Sequence, residues 1–279
     1  MNSIRPILGC NSNYDDANVI VFGAPYDSTT SFRPGTRFAS SAIRSDSWGL
    51  ETYSPYLDKD LNQLKVHDAG DLEFPFANSN KMLEIISNFT SRIIKDEKLP
   101  LMIGGEHLVT YGPVKAISDK YSNLKILHFD AHSDLRDSFF GEKLSHATVM
   151  KRCFDLVGDN SIYQFGIRSG SKEEFEWSKG RVYTELFDTS SLDEVLKTLK
   201  DYPVYLTIDL DVLDPSVFPG TGTPEPGGIS FNNLLSCVHK MDKVNIVGCD
   251  INELSPHYDS SGVSTAVASK IFRELLLSL

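Results

Sequence analysis

Short runs of β-branched and apolar residues recur along the chain at 19–22, 101–103, 124–127, 162–165, 204–208 and 244–247. Runs this short, without strict alternation, read as strands buried on both faces. Between them the pattern changes period. Across 80–98, Met82, Ile85, Ile86, Phe89, Ile93 and Ile94 fall at spacings of three, four and seven, the apolar stripe of one helix. Strands alternating with helices imply right-handed crossovers and an α/β fold with a mostly parallel sheet. No internal repeat, low-complexity tract or linker breaks the alternation.

In open parallel sheets, ligands bind outside the carboxyl ends of the strands, so chemistry should follow the apolar runs. It does here. Gly104-Gly105-Glu106-His107 follows Ile103, and Asp130-Ala131-His132-Ser133-Asp134 follows Phe129. Asp209-Leu210-Asp211 follows Ile208, and Asp250 to Glu253 follows Gly248-Cys249.

Composition narrows the setting. The 279 residues suit a single domain over 1–279, and 41% hydrophobic with 23% charged residues is ordinary for a globular chain. A formal net charge of -11 argues against a nucleic-acid surface and is compatible with a small cationic ligand. Cys10, Cys153, Cys237 and Cys249 are widely spaced, with no C-x-x-C pair, so neither a disulfide framework nor a thiolate metal site is expected. Residues 1–10 carry one Arg and no sustained apolar stretch, and no run approaches the roughly 20 residues that span a bilayer. A reducing cytoplasm is the expected home.

Side chains alternate along an extended segment, so Asp130, His132 and Asp134 are expected on one face, and Asp209 and Asp211 on another. Meeting at one end of the sheet, these four aspartates would repel one another unless a cation compensates, and two divalent ions supply four positive charges. His107 and His132 add nitrogen donors. Carboxylates in the majority and no thiolate favour manganese over structural zinc, with iron and cobalt still open. An isolated D-x-D has the ordinary reading of a capped loop, and the constellation is what points to metal. His67, His128, His239 and His257 are left as core or surface residues.

Several ordered motifs resemble the ureohydrolase family of arginases and agmatinases. They are Gly-Gly-Glu-His at 104–107, Phe-Asp-Ala-His-Ser-Asp at 129–134, Ser-His-Ala at 145–147 and Thr-Ile-Asp-Leu-Asp-Val-Leu-Asp-Pro at 207–215. The likeness continues through 219–224 and 253–256, and begins at Ser31-Phe32-Arg33-Pro34-Gly35-Thr36-Arg37. It implies a three-layer α/β/α domain with a sheet of about eight strands, and a homo-oligomer, trimer or hexamer. It also implies two Mn2+ ions per subunit: one on His107, Asp130, Asp134 and Asp209, the other on Asp130, His132, Asp209 and Asp211. The family motif more often has Asp where Glu106 stands; that position is not a ligand, so a small effect is expected.

The resemblance further implies that His146 relays protons and that Glu253 receives a guanidinium in a charge-assisted pair. Asp134 would hold a proton beside the reacting water and pass it to the leaving amine. Residues 219–228 are expected to shape the site, and Arg33, Arg37 and Arg168 to be structural or subunit-contact groups. The loop Leu135-Arg136-Asp137-Ser138-Phe139-Phe140-Gly141-Glu142-Lys143-Leu144 lacks the Asn of the arginase pattern. With Glu142 four residues before His146, and Arg136 turned to solvent, an acidic lining would suit an amine. This wording, and Phe165 to Gly170, resembles the bacterial agmatinases of the family, which implies hydrolysis of agmatine to putrescine and urea with Glu253, His146 and Glu142 as substrate contacts. Arginase, guanidinobutyrase, aminopropylagmatine ureohydrolase and formimino hydrolase activities are the alternatives, beside a deacetylase or a catalytically silent metal-binding protein.

Overall fold

The computed structural model describes residues 5–279, so the first four positions of the 1–10 stretch lie outside the described residues. In chain order, the elements begin with β1 (Val19–Ala24), α1 (Ala39–Asp46), a two-residue hairpin of β2 (Tyr53–Ser54) and β3 (Lys59–Asp60), and β4 (Val66–Asp71). Then come α2 (Ser79–Lys95), β5 (Leu99–Gly104), α3 (Tyr111–Lys120), β6 (Lys125–Phe129), α4 (Val149–Val157) and β7 (Ile162–Ile167). The chain closes with α5 (Lys172–Ser178), β8 (Tyr183–Leu186), α6 (Leu192–Leu199), β9 (Pro203–Asp209), α7 (Phe231–Val238), β10 (Asn245–Asn252) and α8 (Val263–Ser278). Eight strands form one sheet in the order β4-β1-β5-β10-β9-β6-β7-β8, and every pairing in it is parallel.

Helices cover both faces. Ile43 of α1, Leu196 of α6, Leu234 of α7 and Ile271 of α8 share one cluster with Leu101, Leu127 and Leu206 of the sheet. On the other face, Met82 and Ile86 of α2 meet Ile20 and Phe22, while Val114 of α3 and Met150 of α4 meet Ile126 and Tyr205. Strands buried on both sides explain the continuous apolar runs.

Three features depart from the sequence reading. The helix expected over 80–98 spans Ser79–Lys95: Asn78 Oδ1 accepts the Lys81 amide at 3.0 Å, and at the far end Glu97 takes φ 57° so that Lys98 N closes on Ile93 O. The edge strands β4 and β8 were not marked by apolar runs, because an edge faces solvent and tolerates charge. In β4 that charge is used, with Arg44 donating to both oxygens of Asp68 at 2.8 and 3.0 Å. Finally, β10 runs on to Asn252, through positions read as a loop. Asp250 is tolerated there because Tyr205 Oη and Asn252 Nδ2 donate to it at 2.5 and 2.7 Å.

The topology gathers the motifs. The chain leaves β5 and returns to the sheet at β6, three places away, and β9 and β10 later fill the gap. The four strands that end in acid or imidazole, β5, β10, β9 and β6, are therefore neighbours. A crossover that reverses direction opens a crevice at the carboxyl ends.

Candidate metal centre

Past Gly104 the chain turns sharply. A Cβ on Gly105 would collide with the Tyr26 carbonyl, so glycine is required where the segment passes β1's loop. The turn delivers His107 at the start of a 3-10 helix, His107–Thr110, with its ring fully buried. Nε2 meets Thr207 Oγ1 at 2.9 Å, which leaves Nδ1 facing inward. There it lies 3.0 Å from Asp130 Oδ2, 3.2 Å from Asp134 Oδ2 and 3.3 Å from Asp209 Oδ2, yet has no properly directed hydrogen-bond partner.

The second imidazole is similarly placed, with His132 Nδ1 3.0 Å from Asp211 Oδ2 and 3.5 Å from Asp130 Oδ1. Three of the four carboxylates are held by backbone. Asp130 Oδ1 accepts from His132 N at 2.6 Å, Asp209 Oδ1 from Asp211 N at 2.8 Å, and Asp211 Oδ1 from Ala131 N at 3.1 Å. The structure thus brings together His107, Asp130, His132, Asp134, Asp209 and Asp211.

The route differs from the expected strand-like alternation. Only Asp209 lies in a strand; Asp211 sits in the 3-10 turn Leu210–Val212, and Asp134 has φ 53° in the loop after β6. Turns, not pleating, aim these side chains. A left-handed conformation at a β-carbon residue stores strain that the surroundings must hold. Glu174 does so: Oε1 accepts from Ser133 Oγ at 2.6 Å and from Leu135 N at 3.0 Å, gripping both neighbours of Asp134.

His128, left unassigned above, also belongs here. It is fully buried and its Nε2 lies 2.8 Å from Asp130 Oδ2, while the Gln164 amide donates to its Nδ1 at 3.0 Å. Burial holds its pKa below the usual range. A neutral ring accepting at Nδ1 donates from Nε2, so His128 orients Asp130 and keeps no lone pair for a cation.

The electrostatics ask for positive charge. Burial, and then the Asp130 charge, pushes Asp134 up to about 7. Burial, followed by Asp211 and Asp130, drives Asp209 far above the carboxylate range. Burial disfavours protonated His107 and His132, but the surrounding carboxylates outweigh it and raise both. The cluster therefore keeps protons that cations would displace. A buried Nδ1 lone pair among three carboxylate oxygens fits a metal, and oxygen-rich donors with two imidazoles fit a pair of hard or borderline divalent ions.

Beside the cluster lies a cavity of about 230 Å³, lined by His132, Asp134 and His146 with Ser31, Arg136, Phe139, Glu174 and Thr223 among others. His146 is half-buried; its Nε2 lies 3.2 Å from Ser31 Oγ and its backbone N–H donates to Thr29 Oγ1 at 3.0 Å. Burial and the charge on His132 push it down to about 4. Glu253 does not line this cavity. It is buried at φ 64°, with Oε1 accepting from His107 N at 2.8 Å, and its Oε2 has no hydrogen bond among the described residues.

The rim corrects two expectations. Phe139 and Glu142 exchange both backbone hydrogen bonds at 2.8 and 2.9 Å across Phe140 and Gly141, both at positive φ. That tight turn sends Phe139 to the metal cavity, edge-on to His146 at 5.9 Å, and Glu142 to a separate cleft with Tyr26, Thr29 and Asn78. Arg136 is only partly turned to solvent, its side chain 38% exposed: its Nε lies 3.3 Å from Glu174 Oε2 and its guanidinium 5.0 Å from the Phe139 centroid. Glu174 was missed although Ser171-x-x-Glu174 spells a capping box, which the structure contains. Arg168 donates to the carbonyls of Asp211, Val212 and Glu225 at 2.7 to 3.1 Å, and Arg37 pairs with Asp27 at 2.9 Å, structural roles as expected.

The sequence model of the arginase family matches residues 17–278. The chain is 48% identical over 277 residues to a Bacillus subtilis agmatinase, covering 98% of this chain and 96% of that protein. It is 32% identical over 287 residues to a Pseudomonas aeruginosa guanidinobutyrase, covering 98% of this chain and 90% of that protein. Among solved structures, one described as a putative agmatinase from Clostridium difficile superposes with a TM-score of 0.93 at 51% identity, covering 95% of this chain and 98% of that one.

Proposed function

The chain belongs to the arginase family, and we propose that it hydrolyses the guanidinium group of agmatine to putrescine and urea on a centre of two Mn2+ ions. The observation that carries the reading is the convergence of four aspartates and two imidazoles around the unpartnered His107 Nδ1, beside a cavity lined by His146. His107, Asp134, Asp130 and Asp209 would hold one ion and His132, Asp211, Asp130 and Asp209 the other. Bound there, two divalent ions would supply positive charge that lowers the pKa of water and so favours its attack.

The chain's own groups do the rest. Glu253, with Oε2 unspent, receives the guanidinium and aligns its planar carbon. Asp134 accepts the proton of the attacking water and returns it to the leaving amine. His146, whose ring borders the cavity and is neutral near pH 7, passes protons between solvent and Asp134. Phe139 and the Arg136–Glu174 pair close the rim around the aliphatic chain of the substrate.

We further read residues 1–279 as one catalytic domain acting as a homo-oligomer in the cytoplasm. Four buried free cysteines support a reducing compartment, and no helix among the described residues is long and apolar enough to cross a membrane. The direct test is urea release from agmatine by manganese-loaded protein, with metal analysis alongside. The reading expects urea and putrescine in equal amounts and two metal equivalents. No urea from agmatine, with guanidinobutyrate or formiminoglutamate consumed instead, overturns it.

A further inference from the structure

Glu106 is fully buried directly before His107, and its side chain makes no hydrogen bond to the metal cluster among the described residues. Its carboxylate is instead spent on the loop after β1. Oε2 accepts from Thr29 N at 2.8 Å and from Thr30 Oγ1 at 3.3 Å, and Oε1 accepts from Thr29 Oγ1 at 2.6 Å. With its hydrogen given to Glu106, the Thr29 hydroxyl is left as an acceptor, and the His146 N–H donates to it at 3.0 Å. Two residues further along the same loop, Ser31 Oγ lies 3.2 Å from the His146 ring.

Backbone bonds tie the same segment to the opposite wall. Glu106 N donates to Tyr26 O at 2.8 Å, Glu253 N to Gly105 O at 3.0 Å and His107 N to Glu253 Oε1 at 2.8 Å. Gly105 to His107 therefore fixes a metal nitrogen, a carboxylate and, through Thr29, an imidazole in one frame. Full burial makes a carboxylate costly to keep here. Cheaper residues would fill the space. What they would not do is accept two donors from one residue, Thr29, on two different oxygens.

We propose that Glu106 is a positioning residue that sets His146 against the metal cavity through the Thr29 hydroxyl. The inference rests on the role given to His146 in the proposed reaction. It also reverses the sequence expectation that this position has little effect. An aspartate would fall short by about 1.5 Å, one C–C bond, and release Thr29. A glutamine would turn its NH2 towards one of the two Thr29 donors.

Glu106→Asp and Thr29→Val, the latter keeping the branched shape without the hydroxyl, test it in manganese-loaded protein with agmatine. Each should lower kcat about tenfold while KM moves less than twofold and metal content stays the same, the pattern of one lost positioning bond. In a His146→Asn background, Glu106→Asp should cost less than twofold more, because the residue acts through His146. A readout independent of turnover is the rate at which diethyl pyrocarbonate modifies His146, followed by peptide mass, which should rise severalfold in both variants. Additive losses in the double variant, or unchanged His146 reactivity in both single variants, overturn the proposal. Absence of urea from the parent protein would instead overturn the reading of the reaction, and the reactivity measurement would still decide the positioning.

Discussion

The floor of the site and its rim are built by different rules. On the floor, side chains leave the ends of four adjacent parallel strands, every carboxylate is buried, and three of the four aspartates give one oxygen each to a backbone amide. On the rim, residues 135–146 form a partly exposed loop whose side chains are aimed by one tight turn and one ion pair. A floor position follows from topology. A rim position depends on local turn chemistry, so one residue of difference in spacing sends a side chain into another cleft.

The largest effect should come from the floor. Asp209→Ala is expected to abolish urea production and remove at least one metal equivalent, because a carboxylate shared by two ions orients both. Residual turnover with two ions still bound would break the distinction between floor and rim. Next stands His146, on the boundary. His146→Asn should lower kcat about 10²-fold with metal content unchanged, the usual scale of proton transfer; metal loss in step with rate would make it a ligand and part of the floor.

Rim changes should alter choice of substrate more than rate. The parent is expected to favour agmatine over arginine by at least tenfold in kcat/KM, about 1.4 kcal/mol. Glu174→Gln slows both substrates by loosening Asp134, but it also frees Arg136 to meet an α-carboxylate. The preference should fall about fivefold, ~1 kcal/mol, the scale of a partly exposed ion pair. A ratio left unchanged would remove Arg136 from substrate choice. Glu142→Gln, whose side chain faces the other cleft, should shift the ratio less than twofold; a larger shift would restore it to the site.

The smallest effect is a control that belongs to neither the floor nor the rim. Burial would raise Asp259, but the hydroxyls and amides of Ser261 and Ser264 pull it down to about 2, and its Oδ2 accepts from Ser264 N at 2.7 Å in the first turn of α8. A carboxylate depressed from its ordinary value near 3.9 stabilises the fold above that pH and loses the contribution as pH falls towards about 2. Asp259→Asn should flatten acid unfolding in that window, followed by circular dichroism, without touching metal content at pH 7.

The same contrast explains what the sequence disclosed. Six strands were legible because two-sided burial writes continuous apolar runs, and the candidate ligands because four of those runs lead into acid or imidazole. The polar strands β4 and β8 were not, since edges carry no such run. That β5, β10, β9 and β6 are neighbours is a fact of crossovers, absent from local pattern. Glu142 was misplaced because spacing to His146 says nothing of the turn at Phe140 and Gly141, whereas Glu174 was written in a capping box that went unread. His128 was passed over because a histidine inside an apolar run looks like core until its neighbour's carboxylate is seen at 2.8 Å.

The insertion of β9 and β10 between β5 and β6 also bears on how the chain emerges from a ribosome. Until residues beyond Lys200 have been made, β5 and β6 each present an unpaired inner edge, and the two halves of the future sheet have no strand to join them. Long-range parallel pairing is slow, and exposed edges are prone to pair with the wrong chain. The nascent protein thus holds His107, Asp130 and Asp134 well before it holds Asp209 and Asp211. With the proposed ligand set, this order of synthesis would make metal uptake the last act of folding.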